Sequence, residues 1–557
     1  MALRKGVSNV KMIGMWNLYP KDKTRDVSTS TASLVEPCSV QPSFYFNFNE
    51  TDDETTSPSD RATTHAARQP NNNNEIILPT SNSKQLPGLP RLEPPKVFGL
   101  PHCFAVVLGS VLSASILFTV NGVHSKCGGL GPALLVWFCS GAMNFVGAQC
   151  YAEITAATGE TGGEFILIYR TLNPMPAFMQ IWITLLAGTT MASVTLAMLF
   201  SEYAMHIVLR EYGLDLPRHL LKLVAALQLS AIYALHCIST RWVARLQIIL
   251  TILKFCCLGI IISAAVRFII VGDAVDLSSE FQRVESVQIV DIFQAFAAAS
   301  PVFLGWQRLT FVAGEVNNVT RNIPISMSVS TIISPIVAIL LHLSFAAVLS
   351  EQELQSDTPV IVLFAHRAMG RLTPVALLLV SVQALCSMNT GILAGTRTLY
   401  AAARESMSPE FWAMLHIHKL TFVPAALTLM TISMPMLLIE NLHQLITVLG
   451  AFRWFPPMLV AVAVIVHRWR FPRVYRPFKV PAAFPFIFIT FCLVQTIVTF
   501  IQHPLAVGVC LLGILPAFPL FLVLVKLRRP MTLFKAVERA TEFMQKLLLV
   551  AHDLGHG

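Results

Sequence analysis

From Val480 to Val525 the chain runs 46 residues without a single Asp, Glu, Lys or Arg. A helix that spans a bilayer needs about 20 mostly apolar residues, so this stretch is long enough for two. Gln502-His503-Pro504 marks the turn between them. The pattern recurs upstream. Charge-free runs cover Val97–Ser125, Leu130–Ala152, Asn173–Ser201, Leu223–Thr240, Asn322–Ser350, Leu372–Thr396 and Leu420–Ile439. Two further runs hold one charge each: Leu246–Val266 with Lys254, and Asn441–His467 with Arg453. Ile292–Gln307 is short and breaks at Pro301. The total is twelve spans. Hydrocarbon offers backbone groups no partner, so each run must satisfy its own hydrogen bonds as a helix. The reading is an all-α membrane protein of twelve transmembrane helices.

Composition agrees. Charged residues make up 13% and hydrophobic residues 54%, against roughly 25% charged in soluble proteins. This excludes an ordinary soluble enzyme, a nucleic-acid-binding protein and a disulfide-stapled secreted domain. The net charge of +9 is explained by placement. The connections after even-numbered spans, with both flanks, hold 19 Lys and Arg against 8 after odd-numbered spans, densest at Arg468, Arg470, Arg473, Arg476 and Lys479. The positive-inside rule then puts both termini in the cytosol, with some attraction to anionic lipid. Residues 1–95 are rich in Ser, Thr, Asn, Pro and charge. Such a tail cannot bury enough apolar surface to offset its ordering entropy, so it is expected to be disordered and cytosolic. Residues 96–530 form the transporter-like domain, and 531–557 a short cytosolic segment. The eleven cysteines lie mostly inside apolar runs and form no CxxC pair, so they read as small core hydrophobes.

An ionisable side chain inside a span is costly there and points to function. Lys254 lies midway along span 5 and Arg453 midway along span 10. Spans 1 and 6 offer a second pointer. Two interrupted segments at matching places in two halves mark a transporter site. Span 6 is interrupted at Ser300-Pro301 and Gly305. Span 1 carries the small, polar stretch Gly109-Ser110-Val111-Leu112-Ser113-Ala114-Ser115. An unwound helix offers free N–H groups to a carboxylate and free carbonyls to an ammonium, which is how a pocket without charged residues can hold an α-amino acid.

Several motifs, in order along the chain, carry a resemblance. Residues 135–154 read LVWFCSGAMNFVGAQCYAEI, and TGGEFILIYRTLNPMPAF follows. Glu315-Val316-Asn317-Asn318-Val319-Thr320-Arg321-Asn322-Ile323-Pro324 follows span 6. Asn389, Arg397, Arg404 and Glu405 mark span 8 and its end, and Arg476-Pro477-Phe478-Lys479-Val480-Pro481 precedes span 11. The chain resembles the L-type amino acid transporters, the light chains of heteromeric transporters within the amino acid–polyamine–organocation superfamily. The resemblance covers about residues 97–530. It implies ten helices in two inverted five-helix repeats (LeuT-like) plus two C-terminal helices. It implies a substrate between broken helices 1 and 6, and alternating access. The expected substrate-binding residues are Ser110, Val111, Ser113, Ala114 and Ser115 in span 1, Ser300, Pro301, Phe303, Leu304, Gly305 and Trp306 in span 6, and Asn389 in span 8. Lys254 matches a helix-5 lysine whose ammonium stands in for the cation of Na⁺-coupled relatives, so neither metal nor cofactor is expected.

The departures are local. Ser113-Ala114-Ser115-Ile116-Leu117 stands where the family has GSGIF. Pro301 stands for an aromatic residue and Leu304 for a glycine in span 6. Each adds bulk at the site or removes a lid, so the expected substrate is small. The family's cysteine between helices 3 and 4 has no counterpart in His206–Leu220, and Cys127 is the only cysteine in an expected outer loop. A covalent heavy-chain partner is therefore not expected. The partners that follow are an amino acid and the lipid bilayer, with no nucleic acid. The functional expectation is a Na⁺-independent exchanger or facilitator of neutral L-amino acids; no catalytic residues are expected, because no HExxH or GxSxG motif occurs. Two alternatives stay open. One is a transporter-like sensor or scaffold that has lost transport. The other is a polyamine or organic-cation carrier, which calls for acidic residues that spans 1 and 6 lack. The expected membrane is the plasma membrane.

Overall fold

A computed structural model describes residues 94–551, apart from residues 114, 210–216, 273–274, 276–280, 282–286, 357–358, 440–449, 451–452 and 528–530. Ala114 and almost all of the N-terminal tail thus lie outside the described residues. The chain is nearly all helix. Among the described residues nine helices are long and apolar enough to cross a membrane. Their outward faces carry exposed Leu135, Ile252, Ile270, Ile336, Ile497 and Leu512, an apolar coat that suits lipid and not water. The chain is a multi-pass membrane protein.

The other three spans depart from a single long helix for local reasons. Span 1 is split into α1 (Leu100–Ser110) and α2 (Ile116–Cys127). Span 9 shortens to a 14-residue helix, Val423–Met436. Span 10 is described from Phe455 to Arg470, and Arg453 falls in a turn ahead of it rather than at mid-helix. Pro456 and Pro457 explain the shift. Proline lacks the N–H that a helix interior needs, fits the first turn, and disfavours helix in the residue before it. The turn expected at Gln502-His503-Pro504 is present: one helix ends at Gln502 and the next begins at Pro504.

The elements that build the site are few. Helix α3 (Leu130–Thr158) is span 2 and α4 (Gly163–Thr171) follows it. Span 3 begins at Pro174, passes through a π-helical stretch, Thr184–Met191, and ends as α5 (Ala192–Leu209). Span 4 is α6 (Arg218–Ile238) and span 5 is α7 (Thr240–Val271). Span 6 starts as α8 (Ile289–Ala299). It then tightens into 3-10 turns over Ser300–Phe303 and Trp306–Glu315. Span 7 is α9 (Val319–Val348) and span 8 is α10 (Thr373–Arg404). Helix α9 packs along α3, α10 along α5 and α7, and α1 along α7. The two broken helices therefore sit five spans apart, inside a shell of continuous ones.

The ends of the even-numbered spans share one side of the bundle, and ion pairs knit that side together. Arg397 of α10 bonds Glu315 through two nitrogens at 2.8 and 2.9 Å, both side chains being buried. Arg468 pairs with Glu153 of α3, which also accepts from the Val480 amide at 2.8 Å. Arg170 of α4 pairs with Glu160 and Glu405. Phe98, just ahead of α1, exchanges backbone bonds with Glu315 and Asn317. Most members of these ties are motif residues quoted above. On the same side the C-terminal segment forms a helix, Met531–Leu548, and a short strand, Val550–Ala551, antiparallel to Leu415–His416.

Candidate functional site

The two breaks meet. Helix α1 ends at Ser110, and Val111 is extended. Leu112 has φ +55°, in the left-handed region. The Ser113 amide then bonds the Val302 carbonyl at 3.2 Å, so the unwound part of span 1 pairs with the unwound part of span 6. Leu304 is extended and Gly305 has φ +130°. A Cβ on Gly305 would lie 2.6–2.7 Å from backbone and side-chain atoms of Ser110. That backbone conformation and that closeness both require glycine, and they explain why Gly305 remains where Leu304 has replaced its neighbour.

Lys254 holds the break open from behind. Helix termini leave carbonyls without partners. The Lys254 ammonium donates to three of them: Val111 O at 2.6 Å, Leu108 O at 3.1 Å and Gly109 O at 3.3 Å. It is completely buried. Close beside it, Gln247 and Thr251 of α7 donate to the Ala105 carbonyl. Gly109 lets α7 come this near, because a Cβ there would meet Gln247 Nε2 at 2.2 Å and Thr251 Oγ at 2.6 Å.

The expected residues divide into two groups. Val111, Ser113, Leu304, Gly305 and Pro301 lie at the junction, with Ser113 and Ser115 hydroxyls 2.5 Å apart. Ser110 bonds the hydroxyl of Thr390 in α10 at 2.9 Å. The others buttress the junction. The Ser300 hydroxyl bonds the Phe296 carbonyl and accepts from Gln495. Phe303 packs edge-on against Trp137, and Trp306 against Tyr151. Trp306 also donates to Asn144 of α3 at 3.3 Å. Asn389 does not reach the junction. Its amide donates to Gln247 at 2.9 Å and its oxygen lies 3.1 Å from the His236 ring, so it ties α10 to α6 and α7. Its neighbour Thr390 takes the place expected for it.

Arg308 belongs to the site and was missed by the sequence reading. A run counted to its first charge ends at Gln307, one residue short. The signal that finds it is the break itself, since a span resumed after Gly305 carries Arg308 inside it. Its Nη1 donates to the Ser387 carbonyl at 2.7 Å and to Thr390 at 3.2 Å. Gly391 makes room, as a Cβ there would lie 2.7 Å from that nitrogen. The acid that acts on its charge is Glu164, in the first turn of α4. Its carboxylate accepts from Tyr151 at 2.9 Å and Gln180 at 2.7 Å. Burial pushes its carboxyl up to about 7, against the lowering effect of those bonds and of the Arg308 charge.

Cys127, expected to face an outer loop, is buried at the end of α2. It is not presented to a partner.

The arrangement is a pair of interrupted helices whose breaks pair with each other, braced by a buried lysine ammonium on the carbonyls that end α1. Comparison with known proteins points the same way. The amino acid permease family matches residues 98–517. The human cystine/glutamate transporter is 29% identical over 86% of this chain and 95% of its own length. Large neutral amino acids transporter small subunit 2 of Rattus norvegicus is 26% identical over 82% of this chain and 86% of its own. Asc-type amino acid transporter 1 of Mus musculus is 25% identical over 83% and 87%.

Proposed function

The chain belongs to the amino acid permease family and is a membrane transporter of amino acids, and on that premise we propose that it moves small neutral L-amino acids by Na⁺-independent exchange or facilitated diffusion. One observation carries the coupling: the Lys254 ammonium bonds three carbonyls at the end of α1. A fixed charge already occupies the position where a bound cation would act, so no ion gradient is required there. Backbone groups of the two breaks receive the α-ammonium and α-carboxylate. The hydroxyls of Ser113 and Ser115 and the side chain of Leu304 narrow the remaining space. Two of the relatives above have names of neutral or Asc-type transporters, which supports this range.

The transporter resides in the plasma membrane with both termini in the cytosol, and works without a disulfide-linked heavy chain. Uptake of a panel of labelled amino acids into proteoliposomes tests the function. Rapid uptake of alanine or serine, equal in Na⁺ and choline media, is expected; strict Na⁺ dependence would overturn the coupling. The orientation has its own test. Asn318 begins a described acceptor sequon, Asn318-Val-Thr, and lies ahead of α9 on the cytosolic side of this topology. The protein's mobility should not change with a glycan-removing enzyme, and a shift traced to Asn318 would reverse the orientation.

A further inference from the structure

We propose that Arg308 makes this site accept a second carboxylate, so that acidic amino acids bind in addition to small neutral ones. The inference rests on the transport reading for its biological use, but on Arg308 alone for its chemistry.

The geometry isolates a cation at the substrate junction. A guanidinium has five N–H donors in a planar fork. The protein bonds of Arg308 run from Nη1 alone, to Ser387 O and Thr390. Among the described residues Nε and Nη2 have no protein acceptor, and Arg308 makes no ion pair. Its side chain is partly exposed although Trp306, Leu309 and Thr390 around it are buried. The remaining edge of the fork therefore keeps its donors for an acceptor that the protein does not supply.

That edge is close to the breaks. Thr390 bonds both Arg308 and Ser110, at 3.2 and 2.9 Å. Arg308 also sits three residues past Gly305, whose backbone rests on Ser110. A short amino acid held by the unwound backbone would direct its side chain towards the fork. No other charge nearby satisfies it. Glu164 spends its oxygens on Tyr151 and Gln180, and makes no ion pair with Arg308. Lys254 adds a second cation, saturated by carbonyls. A site with two cations and, among the described residues, no carboxylate paired to Arg308 suits a ligand of net negative charge. Arginine presented with a free edge matches a carboxylate in bidentate fashion.

Binding and transport are measured separately on the full-length protein. Thermal stabilisation of purified protein by L-aspartate, L-glutamate, L-asparagine, L-glutamine and L-alanine gives relative affinities. The acidic ligands should bind roughly ten- to a hundred-fold more tightly than their amides, the range expected of charge-assisted bonds. Arg308→Gln should abolish that ratio. Arg308→Lys should keep part of it, since it retains the charge and loses the fork. Gly391→Ala, which crowds Nη1, should lower it without touching the charge. If Arg308→Gln fails to fold, the Gly391→Ala and Arg308→Lys ratios decide. Equal affinity for glutamate and glutamine in the wild type would overturn the proposal. So would a ratio unchanged in these variants, because Arg308 would then grip the α-carboxylate or only tie helices. Absence of uptake with the ratio intact would sink the transport reading and leave the acidic site standing.

Discussion

Lys254→Met removes the charge and keeps most of the volume. Three carbonyl oxygens then lose their donor in a dry site. A hydrogen bond from a charged donor contributes about 1.5–3 kcal/mol. The 2.6 Å bond to Val111 belongs at the upper end, and the bonds at 3.1 and 3.3 Å to Leu108 and Gly109 at or below the lower end. The loss is on the order of 5 kcal/mol, carried by the unwound end of α1 and not by the bundle. An opposing effect acts on the whole fold. A buried ion has a desolvation penalty of several kcal/mol, which methionine does not incur. Overall stability should therefore change little while the shape of the break is lost. At 1.4 kcal/mol per factor of ten, transport should fall by roughly a thousand-fold or more. The assay is the initial rate of labelled amino acid uptake in proteoliposomes, beside size-exclusion and thermal-melt controls on the same preparation. A folded Lys254→Met protein that keeps more than about a tenth of the wild-type rate would refute the reasoning.

Other expectations follow from single contacts. Gly305→Ala forces a side chain into φ +130° and against Ser110, and should cost about 2–4 kcal/mol; a melt unchanged from wild type would contradict the packing described. Arg397→Leu leaves Glu315 buried without its counter-charge and should cost about 3–5 kcal/mol, read as loss of monodisperse protein, with much of it recovered when Glu315→Leu is added. Replacing Ser113 and Ser115 together by glycine should widen the range towards larger side chains, by about 1–3 kcal/mol per methylene accommodated; preferred uptake of tryptophan or phenylalanine by the unmodified protein would defeat this.

The twelve spans were legible because hydrocarbon imposes one rule on every residue that crosses it: few charges, and about 20 apolar residues in a row. The same rule, applied to exceptions, singled out Lys254, and the Gly and Pro interruptions singled out spans 1 and 6. These are properties of a chain read one residue at a time. Partnership is not. Glu153, Glu315 and Arg397 could be recognised as motif residues, but that Glu315 meets Arg397 and Glu153 meets Arg468 depends on which spans pack together. Asn389 was expected at the site from the resemblance in span 8, and a rotation of about 100° between successive helix residues turns Thr390 towards the junction instead. Arg308 escaped because its span is not one continuous helix, so an apolar run cannot define where it ends. Only the folded chain, by bringing α10 against the resumed half of span 6, turns that arginine from a boundary charge into part of the site.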